Sequence, residues 1–377
     1  MKSLSLSFFI AILIFVCSTP SLQAEEKEIN VSGRSAVLIE QESGRVLFGK
    51  EEHVKRKIAS ITKVMTAILA IESGKLDEYT TVSNEASGVE GSSLYLKPGE
   101  KILLRDLVYG LMLRSGNDAA VAIAEAVGGS VDGFVYLMNE KAKEIGMKNT
   151  QFTNPHGLDD GDKHYSTAYD MALLTQYAMR DDTFREISGT TYYESPQEGE
   201  SWNRQWRNKN KLLTSLYEYC TGGKTGYTKS AGRTLITTAE KEGMSLIAVT
   251  LDAPSDWNDH IRLFEWGFST FEIYELTKKN EKLTNKQLHH RLDGTLFLQE
   301  AFHYPLKENE TERLRRKIIM KERMEQKKQI APVGEMKWYI GDEWIGTQTI
   351  YLERDTTKKQ SLVHTWFEWF QRLLGRG

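Results

Sequence analysis

Three kinds of hydrophobic pattern follow one another along the chain. Apolar residues at 35–40 and 45–48 flank the turn sequence Glu42-Ser43-Gly44, which predicts a β-hairpin. The middle of the chain repeats its apolar positions at helical spacing. This spacing predicts helices at about residues 60–73, 104–113, 118–127, 131–145 and 167–179. After about Thr221 the period is two. That part predicts strands at 223–227, 233–239 and 245–251, followed by a helix at about 256–270.

Helices that are flanked by strands at both ends predict an α+β fold, with a helical region beside an antiparallel sheet. Beyond residue 276, short segments with Lys, Gln and scattered apolar residues predict a smaller β-rich domain that ends near residue 355. The charged segment 307–328 within it fits either a solvated helix face or a charged edge strand. We therefore expect a larger domain over residues 25–275 and a smaller one over 276–355.

The N-terminus has the features of a secretory signal peptide. A positive Met1-Lys2 precedes the apolar run 6–17, which is too short to span a bilayer, and Ala24 stands before charged residues. This order predicts cleavage after Ala24 and export of the mature chain. An uncleaved N-terminal anchor is the alternative interpretation.

The C-terminus predicts an amphipathic helix over residues 356–377. Between 361 and 374, eight apolar residues lie on one side of a helix, and two of them are Trp and two are Phe. Lysine and arginine residues flank them. This composition favours a helix that lies on a membrane surface over one that packs on its own domain.

Composition excludes several classes of protein. The 377 residues are 40% hydrophobic and 27% charged with a net charge of −3, which argues against both disorder and nucleic acid as the main partner. The low mean hydropathy argues against a polytopic membrane protein. Of two cysteines, Cys17 leaves with the signal peptide, so the mature chain has no internal disulfide. We interpret Cys220 as a packed thiol rather than a nucleophile.

Three short motifs stand in order along the chain: Ser60-Ile61-Thr62-Lys63, Ser115-Gly116-Asn117 and Lys224-Thr225-Gly226. Each alone is weak, because it also fits a helix cap or a turn. Together, with the first at the start of a helix and the last at the start of a strand, they are typical of an active-serine enzyme.

The spacing of the first motif explains how such a serine is activated. Ser60 and Lys63 are three residues apart on a helix, so their side chains lie on one face. Lys63 must be neutral to accept the serine proton, and partial burial beside a second cation, plausibly Lys224, would lower its pKa.

The other motif residues suit the remaining steps. Ser115 can relay a proton to the leaving amine, and Asn117 can bind a substrate amide or orient the lysine. Lys224 and Thr225 offer a charge and a hydroxyl to a carboxylate. Gly226 allows the strand backbone to approach a substrate closely.

These motifs, with the runs 58–71, 107–126, 153–158 and 222–228, resemble the low-molecular-mass penicillin-binding proteins of peptidase family S11. Those proteins are serine-type D-alanyl-D-alanine carboxypeptidases. The resemblance covers essentially the whole chain, and the runs 157–160 and 208–213 are most similar to the sporulation type of bacilli, which trims peptidoglycan for the spore cortex. The resemblance implies a penicillin-binding/β-lactamase-like transpeptidase fold with a small β-rich domain after it.

The resemblance also implies how the residues act. Ser60 would form an acyl-enzyme with the penultimate D-Ala of a peptidoglycan stem pentapeptide, and the backbone N–H groups of Ser60 and Tyr227 would form the oxyanion hole. Some relatives hold the terminal carboxylate with an extra arginine that has no clear match in this chain, and Arg233 or Lys209 would take its place beside Lys224 and Thr225. β-Lactams would acylate the same serine. No cofactor or metal is implied, and the enzyme would be a monomer outside the cytoplasmic membrane, in the cell wall or the forespore intermembrane space.

Two other functions use some of the same features. A class A β-lactamase shares the three motifs but adds a glutamate in a run ending in Leu-Asn, a pair that this chain lacks. A non-catalytic penicillin-binding scaffold would have lost the nucleophile or its lysine. His156 is interpreted as structural, and His289-His290 has no ligand spacing for a metal. Trp202 and Trp206 fit either local packing or a glycan groove.

Overall fold

A computed structural model describes residues 29–197, 199–283, 294–321 and 329–354 of the chain. The predicted signal peptide and the predicted terminal helix lie outside the described residues. No single described helix is long and apolar enough to cross a membrane.

The larger domain is built on a five-stranded antiparallel sheet with the order β2-β1-β9-β8-β7. Its strands are β1 (Ser35–Glu40), β2 (Val46–Lys50), β7 (Cys220–Thr228), β8 (Gly232–Lys241) and β9 (Met244–Leu251). The two ends of the domain sequence therefore pair in one sheet, and β1 lies against β9. Strand β7, which contains Lys224, is an edge strand of this sheet.

The sequence between β2 and β7 forms most of the helices and two small hairpins. The helices are α1 (Lys63–Glu72), α2 (Asn84–Ser87), α3 (Leu104–Arg114), α4 (Asn117–Gly128), α5 (Val131–Ile145), α6 (Ala168–Ala178) and α7 (Asp182–Gly189). The hairpins pair β3 (Tyr79–Thr81) with β4 (Lys101–Leu103) and β5 (Tyr192–Ser195) with β6 (Arg204–Arg207). Helix α8 (Asp256–Thr270) follows the sheet. The α+β prediction is confirmed, and the short α2 and α7 are additions to it.

The sheet separates two hydrophobic cores. Val37, Ile39 and Ile247 face the helices of the inserted region and join their large core. Leu38 and Ala248 lie on the other side, where they pack with residues of α8. Because both faces are covered, every residue of β1 and seven of the eight residues of β9 are buried.

The smaller domain is made of strands. They are β10 (Glu272–Thr277), β11 (Glu281–Lys282), β12 (Thr295–Leu298), β13 (Phe302–Leu306), β14 (Leu314–Met320), β15 (Ile330–Ile340) and β16 (Glu343–Glu353). Five of them form a sheet with the order β11-β12-β16-β15-β14. The charged segment 307–328 thus includes an edge strand, β14, as one of the two sequence interpretations expected. Basic side chains on an edge strand discourage pairing with other chains.

Arg45 connects the two domains. Its guanidinium group pairs with the Glu310 carboxylate, and both side chains are 13% exposed. The same group donates to the Pro305 carbonyl and lies 5.2 Å and 5.3 Å from the ring centroids of Phe271 and Tyr304. The hairpin of the first sheet therefore rests against the start of the second domain.

Candidate active site

Lys63 contacts its own turn and two distant parts of the chain. Its Nζ lies 3.1 Å from Ser60 Oγ and donates to Asn117 Oδ1 at 2.7 Å. A further bond of 2.7 Å goes to the backbone carbonyl of His156. Because the Lys63 side chain is fully buried, these three oxygens determine where its amino group lies. The predicted proximity of Ser60 and Lys63 is present in the structure.

The turn that presents Ser60 is constrained by hydrogen bonds. It is a 3₁₀ turn, Ala59–Thr62, and Ala59 has a φ of +49°, which is costly for a residue with a Cβ. Thr62 Oγ1 donates to the Ala59 carbonyl at 2.8 Å and lies 2.8 Å from His164 Nε2. His164 Nδ1 accepts from the Thr153 N–H at 3.1 Å, so the ring proton is on Nε2 and points to Thr62. Burial lowers the pKa of His164 to about 4, which keeps this ring neutral.

A loop at 154–158 supports both the turn and the lysine. Gly157 has a φ of +88°, and a Cβ at this position would lie 1.9 Å from the Ala59 carbonyl oxygen. Asn154 Oδ1 accepts from the Gly157 N–H at 2.7 Å and so holds the loop in shape. The role of the His156 carbonyl is not predictable from the sequence, because a backbone oxygen has no side-chain signature. Only the resemblance to family runs draws attention to this loop.

Strand β7 lies directly against the Ser60 turn. A Cβ on Gly226 would lie 2.4 Å from Thr234 Oγ1 and 3.0 Å from the Ser60 backbone nitrogen. A larger residue would therefore push the strand away from the serine. The sequence predicts that Gly226 lets a substrate approach the strand. The structure shows that Gly226 also lets the strand approach the Ser60 turn.

The second motif forms the corner between α3 and α4. Ser115 ends α3 with a φ of +66° and is 5% exposed. Asn117 begins α4, and its backbone N–H donates to the Ser92 carbonyl at 2.7 Å. Its side-chain Nδ2 donates to the Glu90 carbonyl at 2.6 Å, which turns Oδ1 toward Lys63. Asn117 thus orients the lysine, which is one of the two roles that the sequence suggested.

The site contains two buried lysines, and the pKa of each is lowered. Burial lowers the pKa of Lys224 to about 7, and the charge of Lys209 adds to this. The pKa of Lys63 is lowered well below its ordinary value, first by burial and then by the charges of Lys224 and Lys209. This shift favours the neutral amine, which is the form that can accept a proton. This direction agrees with the expectation that burial and a second cation favour the neutral amine of Lys63.

The remaining motif residues follow one another along β7. Lys224 is buried, Thr225 is half-buried, and Gly226 meets the Ser60 turn. Tyr227 is paired in register with Arg233 and is 64% exposed.

Two cations outside the motifs have different surroundings. The Arg233 side chain pairs with buried Asp256 at 2.8 Å and lies over the Trp257 ring. Lys209 Nζ instead donates to Ser92 Oγ at 3.3 Å, on the side of the cleft that includes Ser115 and Asn117.

The other candidates are mostly structural. Cys220 is buried with Leu212 and Leu235, and burial raises the pKa of its thiol to about 11, which confirms a packed thiol. Trp206 is also buried, and its ring stacks near Tyr193 with centroids 6.1 Å apart. Local packing is thus correct for Trp206. Trp202 by contrast is 57% exposed.

Comparison with known proteins agrees with this geometry. Residues 21–255 match the model of a family described as D-alanyl-D-alanine carboxypeptidase, peptidase S11. Residues 271–358 match the C-terminal domain of penicillin-binding protein 5.

Curated and solved relatives cover most of the chain. The chain is 34% identical over 293 residues to D-alanyl-D-alanine carboxypeptidase DacF of Bacillus subtilis, which is 74% of this chain and 75% of the relative. It is 30% identical over 300 residues to DacA of Haemophilus influenzae, with 76% and 74% covered. The structure of penicillin-binding protein 5 from Haemophilus influenzae superimposes with a TM-score of 0.73 at 25% identity, covering 87% of this chain and 98% of that one.

The fold and the site together define a penicillin-binding protein of the active-serine class. The chain belongs to the peptidase S11 family of serine-type D-alanyl-D-alanine carboxypeptidases.

Proposed function

We propose that the enzyme removes the terminal D-Ala from peptidoglycan stem pentapeptides through an acyl-enzyme on Ser60. The observation that carries this proposal is the contact between Lys63 Nζ and Ser60 Oγ at 3.1 Å, with the pKa of the lysine lowered. A neutral amine at this distance can accept the serine proton as the oxygen attacks a carbonyl.

The acylation step then needs the other motif residues. Ser60 Oγ attacks the carbonyl carbon of the penultimate D-Ala while its proton passes to Lys63, and the peptide bond to the terminal D-Ala breaks. Ser115 relays the proton to the leaving amine. The N–H groups of Ser60 and Tyr227 stabilise the oxyanion. Water afterwards hydrolyses the ester and frees Ser60.

The terminal carboxylate is held by Lys224 and Thr225, with help from a further cation. Two observations favour Lys209 over Arg233 for that role. Arg233 is already paired with Asp256, whereas Lys209 lies on the cleft side and lowers the pKa of both buried lysines. Burial is the main cause of those shifts, and a carboxylate bound between Lys224 and Lys209 would relieve the part that comes from repulsion between the lysines.

Removal of D-Ala limits cross-linking during synthesis of the cell wall or the spore cortex. We place the enzyme outside the cytoplasmic membrane, held there by the amphipathic segment 361–374. Sedimentation of the mature enzyme with anionic liposomes at low salt tests this placement. Recovery of all protein in the supernatant would contradict it.

The test of the reaction is release of D-Ala from diacetyl-Lys-D-Ala-D-Ala, followed with and without penicillin. We expect turnover that penicillin abolishes, and a penicilloyl adduct that peptide mass spectrometry locates on Ser60. An adduct on another residue would overturn the assignment of the nucleophile. Fast hydrolysis of penicillin without release of D-Ala would favour a β-lactamase, and labelling without turnover of either would favour a scaffold.

A further inference from the structure

A second cavity lies beside the catalytic cleft. Its volume is about 440 Å³, within the range of ligand sites, and it is lined by the 93–97 loop, Arg114 and the region around β6. Tyr95 and Trp202 line it with rings that are 83% and 57% exposed. No step of the proposed reaction uses either residue.

The loop that presents Tyr95 is rigidly held. The buried carboxylate of Asp118 accepts from the Leu94 N–H at 2.8 Å, the Leu96 N–H at 3.2 Å and Ser93 Oγ at 2.6 Å. Tyr95 itself has a φ of +61°, which is strained for an aromatic residue. A large apolar ring that is kept exposed at a strained position is a feature of binding sites rather than of packing.

The β6 side of the cavity is also held in place. Arg204 and Glu100 form a bidentate ion pair in which each side chain is 6% exposed, and this pair anchors β6. The buried Trp206 ring stacks near Tyr193, whose ring lies on Tyr109 with centroids 3.7 Å apart. The cavity therefore exists before any ligand arrives.

The same loop forms a wall of the catalytic cleft. The Ser92 carbonyl accepts from the Asn117 N–H at 2.7 Å, and a Cβ on Gly116 would lie 2.6 Å from Leu94 Cγ. Arg114, which lines the cavity, directly precedes Ser115. The cleft and the cavity therefore lie on two sides of the same loop. A polymer whose stem peptide occupies the cleft can reach the cavity with the part next to that peptide.

The lining combines flat rings with planar polar groups. Gln197 and Gln205 each offer an amide donor and acceptor, and Arg114 offers a guanidinium group. Exposed aromatic faces pack against the C–H faces of a pyranose, while amide and guanidinium groups bond its hydroxyl and acetamido groups. Peptidoglycan joins such sugars to the stem peptide.

We propose that the cavity between Tyr95 and Trp202 is a saccharide subsite that binds the N-acetylated glycan of peptidoglycan. This inference rests on the proposed function, since it assigns to the same polymer a second point of attachment. The sequence left local packing and a glycan groove open for Trp202 and Trp206. The proposal assigns Trp202 to the groove, whereas Trp206 is a packing residue.

The test compares two substrates in steady-state assays of the mature enzyme. One is diacetyl-Lys-D-Ala-D-Ala, which has no sugar, and the other is the disaccharide pentapeptide GlcNAc-MurNAc-pentapeptide. We expect Trp202→Ala and Tyr95→Ala to lower kcat/KM about tenfold for the disaccharide substrate and to change the peptide value less than about twofold. Trp344→Ala, which removes a ring that is 60% exposed on the second domain, should change neither.

A binding measurement separates this inference from the reaction itself. Titration with chitotetraose should quench the tryptophan fluorescence of the wild type, and Trp202→Phe should abolish the quenching. Equal losses on both substrates would assign the cavity to the stem peptide and overturn the saccharide subsite, as would absence of quenching in the wild type. Failure of the wild type to release D-Ala from either substrate would overturn the proposed function, and the titration would still decide the subsite.

Discussion

The two domains differ in what their cores contain. The larger domain buries ionisable groups at its centre, among them Lys63, Lys224 and Asp118, all at most 1% exposed. Among the described residues of the smaller domain, Thr277 is the only buried side chain of the polar or charged classes. Its core consists of residues such as Leu296, Val333, Ile350 and Leu352.

This difference shows that the larger domain loses stability at the buried residues that the proposed reaction needs. A buried lysine loses hydration that its hydrogen bonds recover only in part, and the lowered pKa values of Lys63 and Lys224 record that loss. The same loss favours the neutral form of Lys63, which is the form that acts as a base. An almost entirely apolar core, such as that of the described part of the smaller domain, has stability as its evident role.

The largest effect should follow removal of the nucleophile. Ser60→Ala should lower kcat/KM on diacetyl-Lys-D-Ala-D-Ala about 10⁴-fold or more and abolish covalent labelling by penicillin, because both need the same oxygen. The free energy of unfolding should stay within about 1 kcal/mol of the wild type. Ser269→Ala, an exposed serine of α8, is the matched control. Retained penicillin labelling in the Ser60 variant would contradict the assignment.

A smaller effect is expected when one buried charge is removed. Lys224→Met should lower kcat/KM about 10²-fold, since a carboxylate loses its cation. It should also move the acid limb of the pH profile to higher pH. Activity rises with pH as Lys63 loses its proton, and the charge of Lys224 lowers the pKa of Lys63, so its removal lets that pKa rise.

The pH profile of kcat/KM on the same peptide measures this shift. Lys148→Met, at an exposed lysine, should leave both the rate and the profile unchanged. An acid limb that stays in place in Lys224→Met would show that the two lysines are not electrostatically coupled.

Activity should be least affected by a change in the apolar core of the smaller domain. Leu352→Ala, at a residue that is 2% exposed, should lower the free energy of unfolding by about 2–5 kcal/mol because it leaves a cavity. Chemical denaturation measures this loss, and kcat/KM at 25 °C should remain that of the wild type. A drop in kcat/KM that matches the loss of stability would mean that the two domains do not have separate roles.

The site and the fold were predictable from the sequence to different extents. Residue type and order alone single out Ser60, Lys63, Asn117 and Lys224, because a serine needs a base and an anion needs a cation. Helix spacing also places Ser60 beside Lys63. The helices and the strands of the first sheet follow from the spacing of apolar residues. Apolar residues that recur about every 3.6 positions lie on one face of a helix, and those that recur at every second position lie on one face of a strand.

Other features depend on chain segments that are distant in sequence and adjacent in space. Only the tertiary structure assigns the His156 carbonyl to Lys63 and requires a glycine at 157, since neither a backbone oxygen nor a steric gap leaves a pattern in the sequence. It also distinguishes buried Trp206 from exposed Trp202, two aromatic residues in one polar segment. Periodicity determines which residues need a core, whereas packing between distant segments decides which of them reach it.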